Sequence, residues 1–203
     1  MRRHILITIL FLICIAGMRA QELQVGLRDT YFVRLGWKSA KGLIAGGEMS
    51  LFNSAERNQI GRLYAGYEHN WETGWKLLTA VNGAVNFENR YQQYGVLAHG
   101  IKSWKWIDVS ASFYPNYDTQ LKMQWDGEIE VAGHILEDAD ICVAYGNIPE
   151  YREDIEYLRL GLWFHTKNLW VKPMINLPAL NHDHLRVIVS LGWRFELNKL
   201  KNK

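Results

Sequence analysis

Charged side chains recur at every second position of one segment near the middle of the chain. Between residues 121 and 135 the odd positions are mostly apolar. The even positions carry nearly all of the polar groups: Lys122, Gln124, Asp126, Glu128, Glu130 and His134. Successive side chains of an extended strand point to opposite faces, so these groups share one face. Groups of this kind can conduct ions, bind charged solutes or form buried salt bridges.

The same alternation elsewhere extends this set of charged or titratable candidates. We expect the following side chains to face the interior of a closed barrel: Arg34, Glu48, Arg62, Glu68, Asp108, Lys122, Asp126, Glu128, Glu130, His134, Lys172, Arg186 and Arg194. They could line an ion-selective pore, or they could fill a narrow lumen with salt bridges. We favour the filled lumen, because open aqueous channels are typical of barrels with about 16–18 strands. Small-solute passage stays open as an alternative.

Three neighbouring carboxylates on one face, those of Asp126, Glu128 and Glu130, would repel one another unless they were paired with cations. Arg62 and Lys122 are the partners that we expect. The sequence does not assign the individual pairs.

Acyl-chain hydrolysis or transfer is the alternative chemistry. It needs a nucleophilic serine, a histidine base and an orienting acid or amide. The available pieces are His165 with Thr166, His134, and Ser190 with His184. Ser190 and His184 are six residues apart, on the order of 20 Å along a strand, which is too far for a hydrogen bond. We therefore name no catalytic residue and expect neither an enzyme nor a cofactor.

Two loops have compositions that raise other possibilities. Residues 182–184 read His-Asp-His, but two histidines around an aspartate are more typical of a solvated turn than of a metal site, and no other cluster has metal-ligand spacing. Residues 148–154, "IPEYRED", are long, charged and aromatic, and are the candidate contact surface. A solvated loop is the favoured interpretation of that segment.

The elements that would position all these side chains are strands, because apolar residues recur at spacing two rather than at three and four. Turn residues separate most of twelve runs: 22–28, 30–38, 42–52, 60–71, 75–87, 92–102, 104–115, 120–135, 139–147, 156–165, 169–177 and 184–196. The first run is the weakest. Its merger with the second would favour ten strands instead of twelve.

The connections between the runs alternate between long and short. Antiparallel barrels of the outer membrane have short periplasmic turns and longer external loops, so the alternation places the short turns and the C-terminus in the periplasm. Aromatic residues near the strand ends predict two aromatic girdles, one at each edge of the membrane. Tryptophans near the short turns are Trp37, Trp71, Trp75, Trp104, Trp106, Trp163, Trp170 and Trp193, and tyrosines cluster near the long loops. Alternation predicts that Trp104, Trp106, Trp163 and Trp170 point inward, and Trp125 is a mid-strand exception.

Residues 1–20 have the features of a secretory signal peptide: a basic start, an apolar stretch and Ala20 at the expected cleavage position. The apolar stretch is shorter than the ~20 residues that a membrane-spanning helix needs. We expect a single barrel domain at 21–203 that includes a short tail, 197–203. Without Arg2, Arg3 and Arg19, the 23 basic residues fall to 20 against 21 acidic ones. That balance argues against a nucleic-acid partner, and Cys142 alone excludes an intrachain disulfide after cleavage.

The mature sequence resembles the small outer-membrane β-barrels of Gram-negative bacteria. Its final strand, "HLRVIVSLGWRFEL", is similar to the aromatic-ended signal that the barrel-insertion machinery of that family reads, with Phe195 as the aromatic. The resemblance implies an all-β, single antiparallel up-and-down transmembrane barrel in the cell outer membrane, in contact with the lipid bilayer.

Structural support or small-solute passage through a charged lumen is the function that we expect. The first alternative is an enzyme that modifies the acyl chains of lipid A or phospholipids. The second is a soluble exported β-barrel binding module. The oligomeric state stays open.

Overall fold

The computed structural model describes residues 20–28, 32–50, 60–86, 92–119, 122–147, 156–178 and 185–196. These ranges form twelve strands: β1 (Ala20–Arg28), β2 (Phe32–Ser39), β3 (Leu43–Ser50), β4 (Ile60–Asn70), β5 (Trp75–Asn86), β6 (Gln92–Ser103), β7 (Ile107–Asp118), β8 (Lys122–Leu136), β9 (Ala139–Asn147), β10 (Tyr157–His165), β11 (Leu169–Pro178) and β12 (Arg186–Glu196). Within the described ranges, no helix is long and apolar enough to span a membrane.

Each strand pairs antiparallel with its neighbours in sequence, and β1 pairs with β12 to close the barrel. The weak run at 22–28 is a separate strand, since β1 pairs with β2 from Ala20 to Arg28. The prediction of an all-β up-and-down barrel with twelve strands is confirmed, and the ten-strand alternative is wrong.

Side-chain contacts between strands that are not hydrogen-bonded neighbours identify the inner face. Arg159 on β10 contacts Glu128 on β8, and Lys172 on β11 contacts Glu130 on β8. Such contacts must cross the interior. The opposite face of the strands is apolar and exposed, as at Val187, which is 63% exposed. A soluble barrel would have the reverse arrangement, with its apolar residues inside.

The connections at one end of the barrel, which we call the short-turn end, have two to four residues, whereas those at the other end have three to nine. Two of the short turns depend on glycine, since Gly42 and Gly74 adopt φ angles of 87° and 81°. Residues with a Cβ rarely adopt such angles.

Strand β7 begins three residues later than the sequence predicts. The Trp104 N–H donates to the Ile107 carbonyl and closes the turn before that strand. Trp104 and Trp106 therefore lie in the turn, 53% and 68% exposed, and their predicted inward orientation is wrong. Trp170 does face inward, since it lines a lumenal cavity. Trp163 packs against buried interior residues.

Trp125 is not the mid-strand exception that the sequence suggests. Strand β8 starts at Lys122, so Trp125 lies near the end opposite the short turns. It faces outward, 62% exposed, and stacks on Phe113 of β7 with ring centroids 5.8 Å apart. Trp125 thus belongs to the aromatic girdle at that end.

Candidate functional site in the barrel lumen

The structure places most of the predicted charged residues on the inward-facing positions of their strands. The exception is Lys122, the first residue of β8. It has a φ of 67°, is exposed, and donates from Nζ to the Thr119 carbonyl at 3.3 Å. Lys122 therefore belongs to the rim. The inward positions hold Arg34, Glu48, Arg62, Glu68, Asp108, Asp126, Glu128, Glu130, His134, Lys172, Arg186 and Arg194.

Three arginines, Arg28, Arg34 and Arg62, surround the carboxylate of Glu48. We call these four residues the arginine cluster. Strand register places Arg34 and Arg62 directly beside Glu48 on either side. Arg28 Nη2 lies 2.7 Å from Glu48 Oε2, while Arg34 Nε and Arg62 Nη1 each lie 3.6 Å from a Glu48 oxygen. The Arg34 side chain is 41% exposed, against 17% and 15% for Arg28 and Arg62. Arg34 is therefore the most exposed guanidinium of the arginine cluster.

The buried carboxylate of Glu48 is held ionised by these contacts, since an uncompensated charge at that depth would be costly. Arg62 Nε is also buried and has no hydrogen-bond partner among the described residues. The cluster thus retains cationic donor capacity that Glu48 does not satisfy.

A second group, the lysine cluster, lies on the same side of the lumen closer to the short-turn end. Lys38 Nζ is 2.5 Å from Glu68 Oε1, and Lys76 Nζ is 3.1 Å from Glu68 Oε2. Six residues separate Arg62 from Glu68 on β4, which is about 20 Å along a strand. The two clusters therefore form a basic wall across β1–β5 that follows the barrel axis.

Cations outnumber carboxylates in these two clusters. Even without Arg28, the four cations Arg34, Arg62, Lys38 and Lys76 share two carboxylates. Arg28, Lys38 and Lys76 are not among the lumenal residues predicted from the sequence. Arg28 ends the weakest predicted run. Inward alternation along β1, β2 and β5 is the signal that could have identified all three.

The opposite side, the paired wall, joins β8 to β10 and β11. Glu128 binds Arg159 at 2.9 Å and Glu130 binds Lys172 at 2.6 Å. Asp126 accepts a hydrogen bond from the buried amide of Asn116. The expectation that Arg62 or Lys122 would pair with this group is wrong, because Arg62 lies beside Glu48 and Lys122 lies at the rim.

Histidines and aspartates form a further network near the short turns. Asp140, which is 1% exposed, binds His134 Nδ1 at 2.8 Å and His165 Nε2 at 3.2 Å. His134 Nε2 also lies 3.4 Å from Asp108. Among the residues that the structure describes, no group of three or more potential ligands could hold a metal ion. Residues 182–184 and 148–154 lie outside the described residues.

The catalytic pieces considered from the sequence do not come together. His134 and His165 both bind Asp140, and Ser190 lies opposite Lys172 in the strand register. A different contact, not predicted from the sequence, joins His99 Nδ1 to Ser112 Oγ at 2.7 Å. No described carboxylate lies within hydrogen-bonding distance of His99, so the pair lacks the orienting acid of a triad.

Space remains between the two walls. A cavity of about 350 Å³ is bordered by Arg28 and Arg34 on one side and by Glu130, Arg159 and Lys172 on the other. An adjoining cavity of about 230 Å³ extends along the arginine cluster. Arg28, Arg34 and Ser112 border both cavities. The charged side chains therefore fill the described lumen only in part.

Glycines on the inner face keep two aromatic rings close to the wall. A Cβ at Gly192 would lie 2.6–2.7 Å from three atoms of the Trp170 indole, so the ring lies face-on over that glycine. A Cβ at Gly46 would lie 2.2 Å from Tyr64 Oη. Both rings border cavities. Without these glycines the rings would have to move into the lumen.

The closed twelve-strand barrel, with its apolar outer face and charged interior, is the fold of the small outer-membrane porins. No protein-family model and no curated protein sequence matches the chain. Two solved structures define the likeness. "KdgM porin in complex with disordered oligogalacturonate" has a TM-score of 0.65 at 12% identity, over 87% of this chain and 99% of that one. The NanC porin has a TM-score of 0.53 at 11% identity, over 84% of this chain and 97% of that one.

Proposed function

We propose that the protein is an outer-membrane barrel that passes small anionic solutes, with acidic sugars as the leading candidates. The observation that carries this proposal is the arginine cluster of the basic wall, where three guanidinium groups share one carboxylate beside two adjoining cavities. A wall that carries excess charge of one sign concentrates ions of the other sign beside it.

The membrane setting of this proposal has separate support. The outward positions of the strands are apolar, and aromatic side chains gather near the strand ends. Residues 1–20 would direct export and be removed, which leaves 21–203 as the barrel domain. Strand β12 would present the insertion signal, and the short turns would lie in the periplasm.

The solute class is supported by the chemistry of the two walls. On the paired wall, the carboxylates of Glu128 and Glu130 are neutralised by Arg159 and Lys172, respectively. The solved KdgM porin holds oligogalacturonate, a sugar chain with a carboxylate on each unit. Guanidinium groups recognise carboxylates well, because their planar donors match two carboxylate oxygens. Arg34 is the exposed guanidinium that would meet such a group first.

Reversal potentials in planar bilayers test this proposal. With a KCl gradient, the refolded protein should prefer chloride over potassium, and Arg34→Gln with Arg62→Gln should reduce that preference at least severalfold. Lys122→Gln is the matched control, because Lys122 lies at the rim. Circular dichroism would check that each variant folds. Cation preference in the wild type, or the absence of conductance, would overturn the proposal.

Addition of oligogalacturonate to the bilayer chamber tests whether the solutes are acidic sugars. We expect it to block the chloride current of the wild type at lower concentration than a neutral oligosaccharide of equal length. Equal block by both would leave anion passage standing and remove the assignment to acidic sugars.

Analysis of lipid A and phospholipids by mass spectrometry, with and without the protein, tests the alternative function as an acyl-chain enzyme. Extraction into buffer without detergent would favour the soluble alternative.

A further inference from the structure

Four tryptophans gather at one sector of the short-turn end, around β4–β7. Trp71 and Trp75 flank the turn between β4 and β5, and Trp104 and Trp106 lie in the turn between β6 and β7. Their exposed fractions are 45%, 52%, 53% and 68%. We call this surface, together with Lys102 and Lys105, the tryptophan edge. Exposed indoles in such numbers mark a surface that meets something other than bulk water.

Two lysine ammonium groups lie among these indoles. Lys102 Nζ is 5.3 Å from the Trp75 ring centroid and 5.5 Å from that of Trp104, and it donates to the Thr73 carbonyl at 2.5 Å. Lys105 Nζ lies 4.7 Å from the Trp106 ring centroid. An ammonium has three donors, so Lys102 retains two beyond the one that Thr73 accepts.

Neither lysine is neutralised by a carboxylate within the described part of the chain, although Glu72 lies in the adjacent turn. Other sectors of the same end differ. Lys167 pairs with Glu196 at 3.3 Å. The turn after the exposed Leu136 carries acidic rather than basic residues. Unpaired positive charge held against exposed indoles is thus a property of the tryptophan edge.

We propose that the tryptophan edge binds the anionic headgroups of glycerophospholipids in the adjoining leaflet. The proposal rests on the membrane setting of the proposed function. Indoles prefer the depth of the glycerol and carbonyl groups, where an apolar body and a polar N–H are both satisfied. Lysine ammonium groups at that depth attract anionic phosphates, by about fivefold in affinity for each lysine. The ring faces hold Lys102 at the level where those phosphates lie.

Native mass spectrometry tests this binding site. The folded protein would be released from micelles that contain equal amounts of phosphatidylglycerol and phosphatidylcholine with identical acyl chains. The wild type should retain phosphatidylglycerol preferentially. Lys102→Gln with Lys105→Gln should lower that preference by at least fivefold. Lys167→Gln is the matched control and should leave it unchanged.

Several results would overturn the proposal. Equal retention of the two lipids, or a preference that survives the double substitution, would show that the edge is an aromatic anchor without headgroup recognition. In a second set of micelles that also contains lipopolysaccharide, preferential retention of that lipid would assign the edge to it instead. Insertion into phosphatidylcholine vesicles, followed by protease protection, tests the membrane setting separately. A protein that inserts but shows no lipid preference contradicts this inference alone.

Discussion

The two walls of the lumen differ in how their carboxylates are compensated by cations. On the paired wall, Glu128 and Glu130 each bind one cation across the interior. On the basic wall, Glu48 and Glu68 are each shared by two or more cations. The first arrangement neutralises these two carboxylates and ties β8 to β10 and β11. The second leaves positive charge beside open space. A barrel of this width can therefore be partly filled and still present a charged path.

The largest effect that distinguishes the walls should come from Glu48→Gln. This carboxylate is 9% exposed and is contacted by three guanidinium groups. Its loss leaves buried cations without compensation, which costs about 3–5 kcal/mol. Urea unfolding of the protein in vesicles should show that loss in the free energy of unfolding, and chloride preference should rise. Destabilisation equal to or below that of Glu130→Gln would contradict the contrast between the walls.

An intermediate effect is expected from the glycines that accommodate the lumenal rings. Gly46→Ala and Gly192→Ala would drive a Cβ against Tyr64 and Trp170, respectively. Overpacking of this kind costs about 1–3 kcal/mol. Single-channel conductance should also fall, because the displaced rings enter the cavities. Gly100→Ala is the control, since a Cβ there meets nothing within 4 Å. Equal conductance in all three variants would show that the rings do not limit the path.

The smallest effect should come from the ion pair between Lys172 and Glu130 on the paired wall. Lys172→Gln should lower chloride preference and Glu130→Gln should raise it, because each leaves one charge of known sign. The double variant should return close to the wild-type reversal potential. A double-mutant cycle on unfolding should give a coupling energy of about 1 kcal/mol. Shifts of the same sign in both single variants would refute one-to-one pairing.

Alternation along single strands predicted most of the fold. The apolar positions of β12 face outward and the polar positions of β8 face inward, as expected. The direction of each side chain follows from alternation within its own strand. Strand ends were less predictable where aromatic residues continue into a turn. Trp104 and Trp106 extend the pattern of β7, yet a backbone hydrogen bond makes that segment a turn.

The charge partners could not be read from the sequence, because they depend on curvature and on the stagger between strands. Arg159 reaches Glu128 past β9, and Lys172 reaches Glu130 past two strands. Arg34 and Arg62 could have been placed beside Glu48 if the register of β2, β3 and β4 were known. Alternation along β1 indicates that Arg28 faces inward, but not that its side chain reaches Glu48 on β3.

The hydrogen-bonded seam between β1 and β12 has a consequence for the chain as a whole. Closure leaves no strand in the described barrel with an unpaired backbone edge, so the sheet offers no template for another chain. The seam joins the two segments that are furthest apart in sequence, and such contacts are the slowest to form. Until it closes, β1 and β12 each expose a row of unpaired amide groups. Protection from unwanted pairing is thus acquired in one late step, and the chain is most open to such pairing before that step.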